Sequence, residues 1–379
     1  MLHFRTEGFN GCAVKYSPFF DNRLAVAASA NYGLVGNGRL FILELTPHGI
    51  VPTKHFTTQD SLYDLAWSEI HEHQVLTASG DGSIKLFDTS LTDFPVQQWK
   101  EHKREVFSVH WNLVAKDRFS SSSWDGTVRV WSPHRPHSLL TLPTHSCTYA
   151  ASFAPHSPDL LACVTSDSYL RLYDLRTPAS ASNHLTLQIP IHAGGAGAGA
   201  GAGPNLVAPQ PGAPPPTVMM APGGGGGGGG SAAPAEALTM DWNKYRPSTL
   251  ATAGVDRTIR TFDIRAPHQG PQAVMLGHNY AVRKVAWSPH LSNVLLSASY
   301  DMTCRAWSDQ SPAGVVGDVD MMRAGPGGPN MGVELGRMGQ HTEFVTGVDW
   351  CLFGSEGWCA SVGWDESLYV WDVRAVMGG

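Results

Sequence analysis

The sequence is poor in charge and contains no long hydrophobic run, and both shortages limit the class of protein it encodes. Only 15% of its 379 residues are charged, and the formal net charge is −6. No cluster of Lys and Arg of the kind that follows a phosphate backbone is present, which argues against a nucleic-acid-binding protein. No stretch approaches the roughly 18 apolar residues of a membrane-spanning helix, so we predict no membrane span. The N-terminus lacks the apolar core of a signal peptide, and the acidic balance suits a basic partner.

Motifs for disulfides, metals and phosphates are also missing. None of the six cysteines belongs to a Cys-x-x-Cys pair, and we predict reduced thiols in a cytosolic protein. They are Cys12, Cys147, Cys163, Cys304, Cys351 and Cys359. The histidine pairs His71/His73 and His134/His137 lack companions at zinc spacing, and the polyglycine run is not followed by Lys-Ser or Lys-Thr. We therefore predict no metal, no cofactor and no catalytic site.

What the sequence does contain is one short motif, repeated along the chain. In residues 123–131 an Asp-Gly turn joins two strand-like runs, which indicates a β-hairpin because Gly accepts the positive φ of such turns. An Asp six residues before an aromatic recurs at Asp81/Phe87, Asp125/Trp131, Asp167/Tyr173, Asp256/Phe262, Asp301/Trp307 and Asp365/Trp371, with a degenerate copy at Asn37/Leu43. Copies without an intervening insertion lie 42 to 45 residues apart, a period typical of four-stranded propeller blades.

Seven copies of this unit predict an all-β fold, a seven-bladed β-propeller that forms a single domain over residues 1–379. The repeats cover approximately 1–45, 50–89, 95–133, 138–176, 184–265, 272–308 and 333–374. Each repeat is expected to supply one outer strand followed by three inner strands. The segment from Leu2 to Phe9 then pairs with the last repeat and closes the ring, which removes exposed sheet edges.

Two insertions interrupt the period. Residues 193–235 are almost entirely Gly, Ala and Pro, and such a composition cannot bury enough apolar surface to become ordered, so we predict a disordered loop. Residues 309–332 are rich in Gly, Met and Pro, and we predict a second flexible loop there. The two connections emerge on opposite faces of a propeller. We expect tolerated surface expansions, with a tether or a site for a further partner as the alternative.

Three repeats carry a His, a Ser, an Asp and a Trp at matching positions. The sets are His102/Ser121/Asp125/Trp131, His278/Ser297/Asp301/Trp307 and His341/Ser361/Asp365/Trp371. A Ser-His-Asp catalytic triad is one interpretation, but a catalytic site occurs once, whereas these sets recur at blade spacing. They resemble the hydrogen-bond tetrad of WD-repeat proteins, which implies that Asp orients His, His contacts Ser and Ser contacts the Trp indole. We therefore assign them to the scaffold, where each buried polar group needs a partner.

One rim of the predicted propeller collects aromatic and acidic side chains. The residue before the turn Asp projects toward this rim, and in three repeats it is a large aromatic: Trp124, Tyr300 and Trp364. The loops leading into the first inner strands add Asp60, Tyr63, Asp64, Glu105, Tyr280, Arg283, Glu343 and Phe344. Such a surface suits a peptide that carries both cationic and apolar groups. The alternative is that the aromatics only cover the blade tops.

At these residues the sequence resembles the peroxin-7 family, the WD-repeat receptors for the type-2 peroxisomal targeting signal. The resemblance is carried by strings such as those at 31–40, 61–69, 121–125, 241–245, 277–283, 299–303, 341–345 and 363–366. It extends over all seven repeats and fails only in the two insertions. These loop-and-strand strings are far more specific than the general WD pattern.

The resemblance implies a cytosolic import receptor that takes peroxisomal matrix proteins to the peroxisome with a co-receptor and the peroxisomal docking machinery. Its ligand would be an N-terminal peptide of the form Arg/Lys, Leu/Val/Ile, five variable residues, His/Gln, Leu/Ala. The fixed positions of such a peptide share one face of a helix. The carboxylates of Asp60, Glu105 and Glu343 are candidates for its basic residue. The aromatics Trp124, Tyr300 and Trp364 are candidates for its apolar ones.

A second interpretation is a substrate receptor of a cullin-type ubiquitin ligase. Three strands end in Asp-x-Arg, at residues 174–176, 263–265 and 372–374, and this tripeptide resembles the adaptor-docking box of such receptors. Because the tripeptide is common across WD repeats, we prefer the import receptor.

Overall fold

The computed structural model describes residues 1–91, 94–178, 183–191, 235–312, 328–353 and 356–377. These residues form 29 β-strands and three short 3₁₀ turns, at Ala30–Gly33, Pro267–Gln269 and Val373–Ala375. No helix in this described part has the length and hydropathy to cross a bilayer. The predicted disordered loop 193–235 lies outside the described residues, except for Ala235. The stretch 313–327 of the predicted loop 309–332 also lies outside them.

The strands form seven sheets, which confirms the predicted seven-bladed all-β propeller. Blade 1 contains β2 (Asn10–Tyr16), β3 (Arg23–Ser29), β4 (Gly38–Thr46) and β5 (Gly49–Thr58); blade 2 contains β6 (Leu62–Trp67), β7 (Gln74–Ser79), β8 (Ile84–Asp88) and β9 (Gln97–Trp99). Blade 3 contains β10 (Val106–Trp111), β11 (Phe119–Ser123), β12 (Thr127–Trp131) and β13 (Leu140–Pro143); blade 4 contains β14 (Thr148–Phe153), β15 (Leu160–Thr165), β16 (Tyr169–Asp174) and β17 (Leu185–Pro190).

The remaining three blades follow the same plan with small additions. Blade 5 contains β18 (Ala237–Trp242), β19 (Thr249–Gly254), β20 (Ile259–Asp263), β21 (Ala273–Met275) and β25 (Asn330–Met331). Blade 6 contains β22 (Val282–Trp287), β23 (Val294–Ser299), β24 (Cys304–Ser308) and β26 (Val333–Met338); blade 7 contains β27 (Val345–Trp350), β28 (Trp358–Gly363), β29 (Ser367–Asp372) and β1 (Leu2–Arg5). We call the four strands of a blade a, b, c and d, from the central channel outward.

The N-terminal strand closes the ring, as predicted. Strand β1 pairs antiparallel with β29, with Leu2 opposite Val370 and Arg5 opposite Ser367, so blade 7 combines the first strand with the last three. Strand β25 departs from the prediction. It adds a fifth, parallel strand to blade 5 beside β21, so Asn330 and Met331 are strand residues and not part of a loop.

The hydrophobic core consists of seven clusters, and each cluster joins two neighbouring blades. One cluster packs Val14 and Val26 of blade 1 against Val362 and Leu368 of blade 7, which is the interface where the ring closes. The other six clusters link the remaining pairs of adjacent blades around the circle. Full burial of a large apolar side chain contributes roughly 1.5–3 kcal/mol, against about 0–1 kcal/mol for an exposed ion pair. Apolar contact between blades therefore holds the ring together.

The b–c hairpin turns have the same geometry in six blades. The residue after the turn Asp adopts a left-handed backbone, with φ from 59° to 80°, at Gly82, Gly126, Ser168, Arg257, Met302 and Glu366. Only two of these residues are Gly, and a left-handed backbone is unfavourable for the others. The Asp carboxylate supports the turn by accepting the N–H group two residues on, as in the 3.0 Å contact from Thr127 to Asp125.

The structure brings together the four residues of the tetrad in blade 3. His102 Nδ1 lies 2.9 Å from Asp125, and His102 Nε2 lies 2.7 Å from Ser121 Oγ. Trp131 donates its indole N–H to the same hydroxyl oxygen at 2.8 Å. The order of contacts, from Asp to His to Ser to Trp, is the one that the resemblance implies.

Blade 6 contains the same network. His278 Nδ1 lies 2.8 Å from Asp301, and His278 Nε2 lies 2.6 Å from Ser297 Oγ. Trp307 donates its indole N–H to Ser297 at 2.8 Å. The two tetrads therefore agree to within about 0.1 Å in each contact.

Blade 7 contains a looser copy. His341 lies 2.9 Å from Asp365 and 3.0 Å from Ser361 Oγ. Trp371 donates its indole N–H to Ser361 at 3.2 Å. The network is complete, although its contacts to the serine are longer than those in blades 3 and 6.

Burial separates the tetrads from any surface that a ligand could reach. The three serines, Ser121, Ser297 and Ser361, have no exposed surface, and the three indoles, Trp131, Trp307 and Trp371, are at most 2% exposed. The serine hydroxyl groups are therefore out of reach of a substrate. This burial favours the scaffold role over the catalytic triad, and the tetrad residues contribute nothing to the candidate binding surface described below.

Three other blades replace the tetrad with an ion pair. The turn Asp lies 3.4 Å from Lys85 in blade 2, and 2.5 Å from Arg171 in blade 4 and Arg260 in blade 5. In each case the cation is four residues after the Asp, on strand c. The turn carboxylate therefore keeps a buried or half-buried partner whether or not a His is present.

We predict that Asp125→Ala lowers the free energy of unfolding by about 1–3 kcal/mol, because it leaves buried donors of the tetrad without an acceptor. Thermal or urea unfolding measures the change. The control is Asp117→Ala, which alters an exposed carboxylate on the a–b connection of the same blade. Equal melting temperatures for Asp125→Ala and the wild type would contradict the scaffold assignment.

Stability should also fall in acid. Burial lowers the pKa of His278 from its ordinary value of 6.5, because it opposes the imidazolium more strongly than Asp301 stabilises it. The unfolded chain therefore binds this proton at a higher pH than the folded chain, and stability declines as the pH falls below 6.5. Burial alone would raise the pKa of Asp125, but hydrogen bonds from His102 and Thr127 outweigh it and lower the pKa, so a second loss follows at lower pH.

Unfolding measured at about pH 7.5, 5.5 and 4 tests this dependence. The variant His278→Asn should have a shallower slope than the wild type between the two higher pH values, and the slope that remains comes from groups such as His110, whose pKa burial lowers to about 3. The variant His134→Asn, at an exposed position, should keep the wild-type slope. A wild-type protein equally stable at the two higher pH values would refute the assignment to His278.

Candidate functional site

The candidate site lies on the face that carries the d–a connections and the b–c turns, here called the upper face. The a–b and c–d connections form the lower face. The turn Asp joins the two kinds of upper-face loop, because it also accepts a backbone N–H from the d–a connection. These contacts come from Lys103 to Asp125 at 3.1 Å, from Asn279 to Asp301 at 3.1 Å and from Thr342 to Asp365 at 3.0 Å.

A β-bulge lies near the upper end of strand a in all seven blades. The bulged residues, which have no Cα partner on strand b, are Cys12, Tyr63, Phe107, Tyr149, Leu238, Arg283 and Thr346. These seven residues line the upper part of the central channel together. A bulge redirects side chains, and here it brings three aromatic rings and one guanidinium to the channel mouth.

The first aromatic cluster contains Tyr63, Phe107, Trp124 and Tyr149. Phe107 stacks between Tyr63 and Trp124, with ring centroids 4.7 and 4.5 Å away, and Tyr149 meets Phe107 and Trp124 edge to face at 5.7 and 6.0 Å. Burial raises the pKa of Tyr63 to about 12, so its phenol stays protonated at neutral pH and donates to the carbonyl of Gly33 at 3.2 Å. The four rings therefore form one contiguous aromatic cluster.

The second aromatic cluster contains Tyr32, Tyr300, Phe344 and Trp364, from blades 1, 6 and 7. Tyr300 stacks on Phe344 at 4.7 Å, and Trp364 lies 5.2 Å from Phe344 and 5.5 Å from Tyr32. Tyr32 leaves 52% of its surface exposed. Burial raises the pKa of Tyr300, so this phenol is also neutral.

Arg283 lies between the two clusters. Its guanidinium is 5.9 Å from the centroid of Phe107, and its charge acts against the rise in the pKa values of Tyr63, Tyr149 and Tyr300. Aromatic faces on both sides of one central cation favour a ligand with apolar groups at the flanks.

Acidic groups lie at the edge of both clusters. Glu343 is exposed, precedes Phe344 and forms no ion pair with any described residue. Glu105 is half-buried beside Phe107 and lies 3.5 Å from Arg104, whereas Glu236 accepts a 3.0 Å hydrogen bond from Tyr149. The Asp60 carboxylate already accepts the N–H of Ser61 at 2.7 Å. Glu343 is therefore the acidic side chain with the most freedom to meet a basic ligand.

The predicted rim residues divide into three groups. The first group belongs to the two clusters or adjoins them, and it contains Tyr63, Glu105, Trp124, Tyr300, Glu343 and Trp364. Asp60 and Tyr280 lie on d–a connections, where Tyr280 is 62% exposed. Asp64 does not lie on the rim: it is 5% exposed, faces the channel and accepts the N–H of Val109 at 3.2 Å. The bulge at Tyr63 shifts the alternation of side chains, and this shift moves Asp64 inward.

Sequence reasoning missed Phe107, Tyr149 and Tyr32. Phe107 and Tyr149 occupy the same strand-a position as Tyr63, two residues before a buried apolar residue, so an alignment of the repeats would have identified them. Tyr32 lies in the irregular b–c connection of blade 1, where no repeat pattern applies. Across the described ranges, no group of three or more His, Cys, Asp or Glu residues is arranged to hold a metal ion.

Comparison with known proteins agrees with this architecture. The model of the WD domain, G-beta repeat, matches residues 50–88, 94–132, 269–308 and 332–372. The fold and the aromatic upper face define a WD-repeat propeller with two aromatic clusters on one face.

Similarity to individual proteins covers almost the whole chain. The peroxisomal targeting signal 2 receptor of Saccharomyces cerevisiae is 40% identical, over 98% of this chain and 99% of its own length. Peroxisome biogenesis protein 7 of Arabidopsis thaliana is 37% identical, over 96% of this chain and 95% of its own length. The mouse peroxisomal targeting signal 2 receptor is 33% identical, over 97% of this chain and 95% of its own length. The chain belongs to the family of peroxisomal targeting signal 2 receptors.

Proposed function

We propose that this chain is a cytosolic import receptor that binds the type-2 peroxisomal targeting signal across its upper face. The signal has the form Arg/Lys, Leu/Val/Ile, five variable residues, His/Gln, Leu/Ala, near the N-terminus of a matrix protein. The observation that carries the proposal is the pair of aromatic clusters on either side of Arg283, with carboxylates at their edges.

The two aromatic clusters suit an amphipathic helix better than an extended peptide. In a helical signal the fixed residues lie on one face, with apolar positions near both ends. The cluster around Phe107 receives one apolar end and the cluster around Phe344 receives the other. Aromatic side chains of this kind are the usual source of binding energy at peptide surfaces.

Charge gives the bound helix its direction. The basic residue at position 1 pairs with an exposed carboxylate, for which Glu343 is the best placed and Glu105 the second candidate. With Glu343 as the partner of position 1, the C-terminal end of the helix lies over the cluster around Phe107, where the Arg283 guanidinium, 5.9 Å from the Phe107 centroid, favours its partial negative charge. A rim pair of this type contributes mainly to the rate and specificity of association.

Delivery to the peroxisome requires further partners in this proposal. A separate co-receptor covers the outward side of the bound helix, and the loaded receptor then docks on the import machinery and carries folded cargo from the cytosol to the peroxisome matrix. The chain acts by binding and not by catalysis, since the buried tetrads leave none of their serines open to a substrate.

The ubiquitin-ligase alternative has no comparable support. In all three Asp-x-Arg tripeptides the Arg side chain bonds to the Asp of its own motif, at distances of 2.6–3.2 Å. Replacing Arg176, Arg265 and Arg374 by Ala should leave binding of the signal peptide unchanged. Loss of a cullin adaptor in the same variants would revive the alternative.

We predict that Trp364→Ala weakens binding of a labelled type-2 signal peptide by about tenfold or more, because it removes the ring between Tyr32 and Phe344. Glu343→Gln should weaken binding by a few-fold and flatten its dependence on salt. Fluorescence anisotropy with the full chain measures both effects.

Matched controls separate these effects from general damage. Glu7→Gln changes an exposed carboxylate on another upper-face connection, and Phe94→Ala removes a ring that is 78% exposed on a c–d connection. Both should bind the peptide as the wild type does, and a scrambled peptide should bind to none. Equal affinity for wild type, Trp364→Ala and Glu343→Gln would refute the proposed site.

A further inference from the structure

The lower half of the central channel contains a cavity of about 210 Å³ that the signal-binding surface does not use. Its wall runs from strand-a residues at mid-channel down to residues of the a–b connections such as Pro18, Leu113, Pro289 and Leu352, so it opens on the lower face. It meets the upper part of the channel at a level that both share, formed by Asp64, Ser108, Ala150 and Lys284. The cavity is large enough for one long side chain.

The cavity wall is lined with charges that partly neutralise one another. Lys15 lies 2.7 Å from Asp349, Lys244 lies 2.8 Å from Asp241, and Lys284 lies 3.9 Å from Asp64. Glu69 is a fourth acidic group in the wall, near the mouth, and its partner Lys116 is 3.9 Å away and half exposed outside the wall. The wall thus holds four carboxylates and three lysines, one negative charge in excess.

Acceptor atoms in the wall are also left without hydrogen bonds. Asp64 is 5% exposed, and its Oδ1 has no hydrogen-bond partner in the described part of the chain. Nδ1 of His110 also has no hydrogen-bond partner there; burial lowers the pKa of His110 to about 3, so the ring is neutral, adds no positive charge and accepts at Nδ1 in the tautomer that carries its proton on Nε2. The indole N–H of Trp287 in the same wall also has no partner in the described part of the chain, so a donor is favoured by the buried carboxylate oxygen of Asp64 in particular, because an unpaired buried charge is the costliest group to leave unsatisfied. A cationic side chain satisfies both this need and the excess negative charge.

Large apolar side chains surround the mouth of the cavity. Five of the seven a–b connections carry such side chains, and each of these residues has 37–46% of its surface exposed: Phe19, Ile70, Val114, Leu291, Leu352 and Phe353. Single exposed apolar residues are ordinary, but a ring of them around one opening is typical of an interaction surface.

We propose that the lower channel mouth is a second binding site, for a partner-protein segment in which a Lys or Arg is flanked by large apolar residues. The cationic side chain enters the cavity toward Asp64 and Glu69, and the flanking residues cover the apolar ring around the mouth. A segment with a central Glu is rejected, because the cavity already has an excess of negative charge. The site is on the opposite face from the targeting-signal surface, so the two ligands bind independently.

The test uses the full chain and a pair of fluorescein-labelled nonapeptides as probes. One has a central Lys between Leu and Phe on each side, with Gly and Ser at its ends, and the other has Glu in place of the Lys. The first should bind the wild type at least about tenfold more tightly than the second. The variant Ile70→Ser/Leu352→Ser, which removes two apolar side chains of the ring without changing the charge, should weaken binding of the Lys peptide by about tenfold or more. Glu69→Gln should weaken it a few-fold.

Two controls establish whether the loss of binding arises at the lower mouth. Phe94→Ser makes the same kind of change at an exposed ring of a c–d connection and should not affect the Lys peptide. The type-2 signal peptide should bind Ile70→Ser/Leu352→Ser as tightly as wild type, so failure of the lower site and failure of the upper site are distinguishable. Equal binding of the two probes, no binding of either, or full binding of the Lys peptide to Ile70→Ser/Leu352→Ser would overturn the proposal.

Discussion

The aspartate of the b–c turn is the group on which the upper face of this propeller depends. Asp125 supports the left-handed residue of its turn, orients His102 and anchors the backbone of the d–a connection at Lys103. One carboxylate therefore fixes the two kinds of loop that border the strand-a aromatic residues on the upper face. Trp124 and Glu105 keep their relative positions because both loops are tied to the same buried group. The aromatic upper face is thus a direct extension of the scaffold.

A second constraint, the bulge in strand a, decides what faces the channel. In a regular strand the channel-facing residues would be two apart, whereas in β6 and β10 the less buried residues are three apart. The bulge gives each blade one extra side chain at the upper mouth, and in blades 2, 3 and 4 that side chain is aromatic. Below it, residues such as Lys15 and Asp349 form the charged wall of the channel. The same strand thus supplies an apolar surface above and a charged cavity below.

The architecture was predictable from the sequence, and the site only in part. The spacing between Asp125 and Trp131 recurs in six blades, and a repeat of that period specifies a propeller whatever the details of each copy. Trp124 and Trp364 were accessible to the same reasoning, since the turn fixes where they project. Asp64 was misplaced because a bulge leaves no mark in a single repeat. Strand β25 was missed because two residues that pair with a distant strand carry no local pattern.

The pairing of β1 with β29 joins residues more than 360 positions apart in the sequence. During synthesis β1 leaves the ribosome long before its partner β29 has been made. The other six blades can therefore assemble while β1 is still an unpaired edge strand. Such an edge is a template for wrong pairing, and closure over this sequence distance is slow. The edge of β1 stays unpaired until the last blade has been synthesised. Its vulnerability to aggregation is concentrated in the interval before the final hairpin emerges.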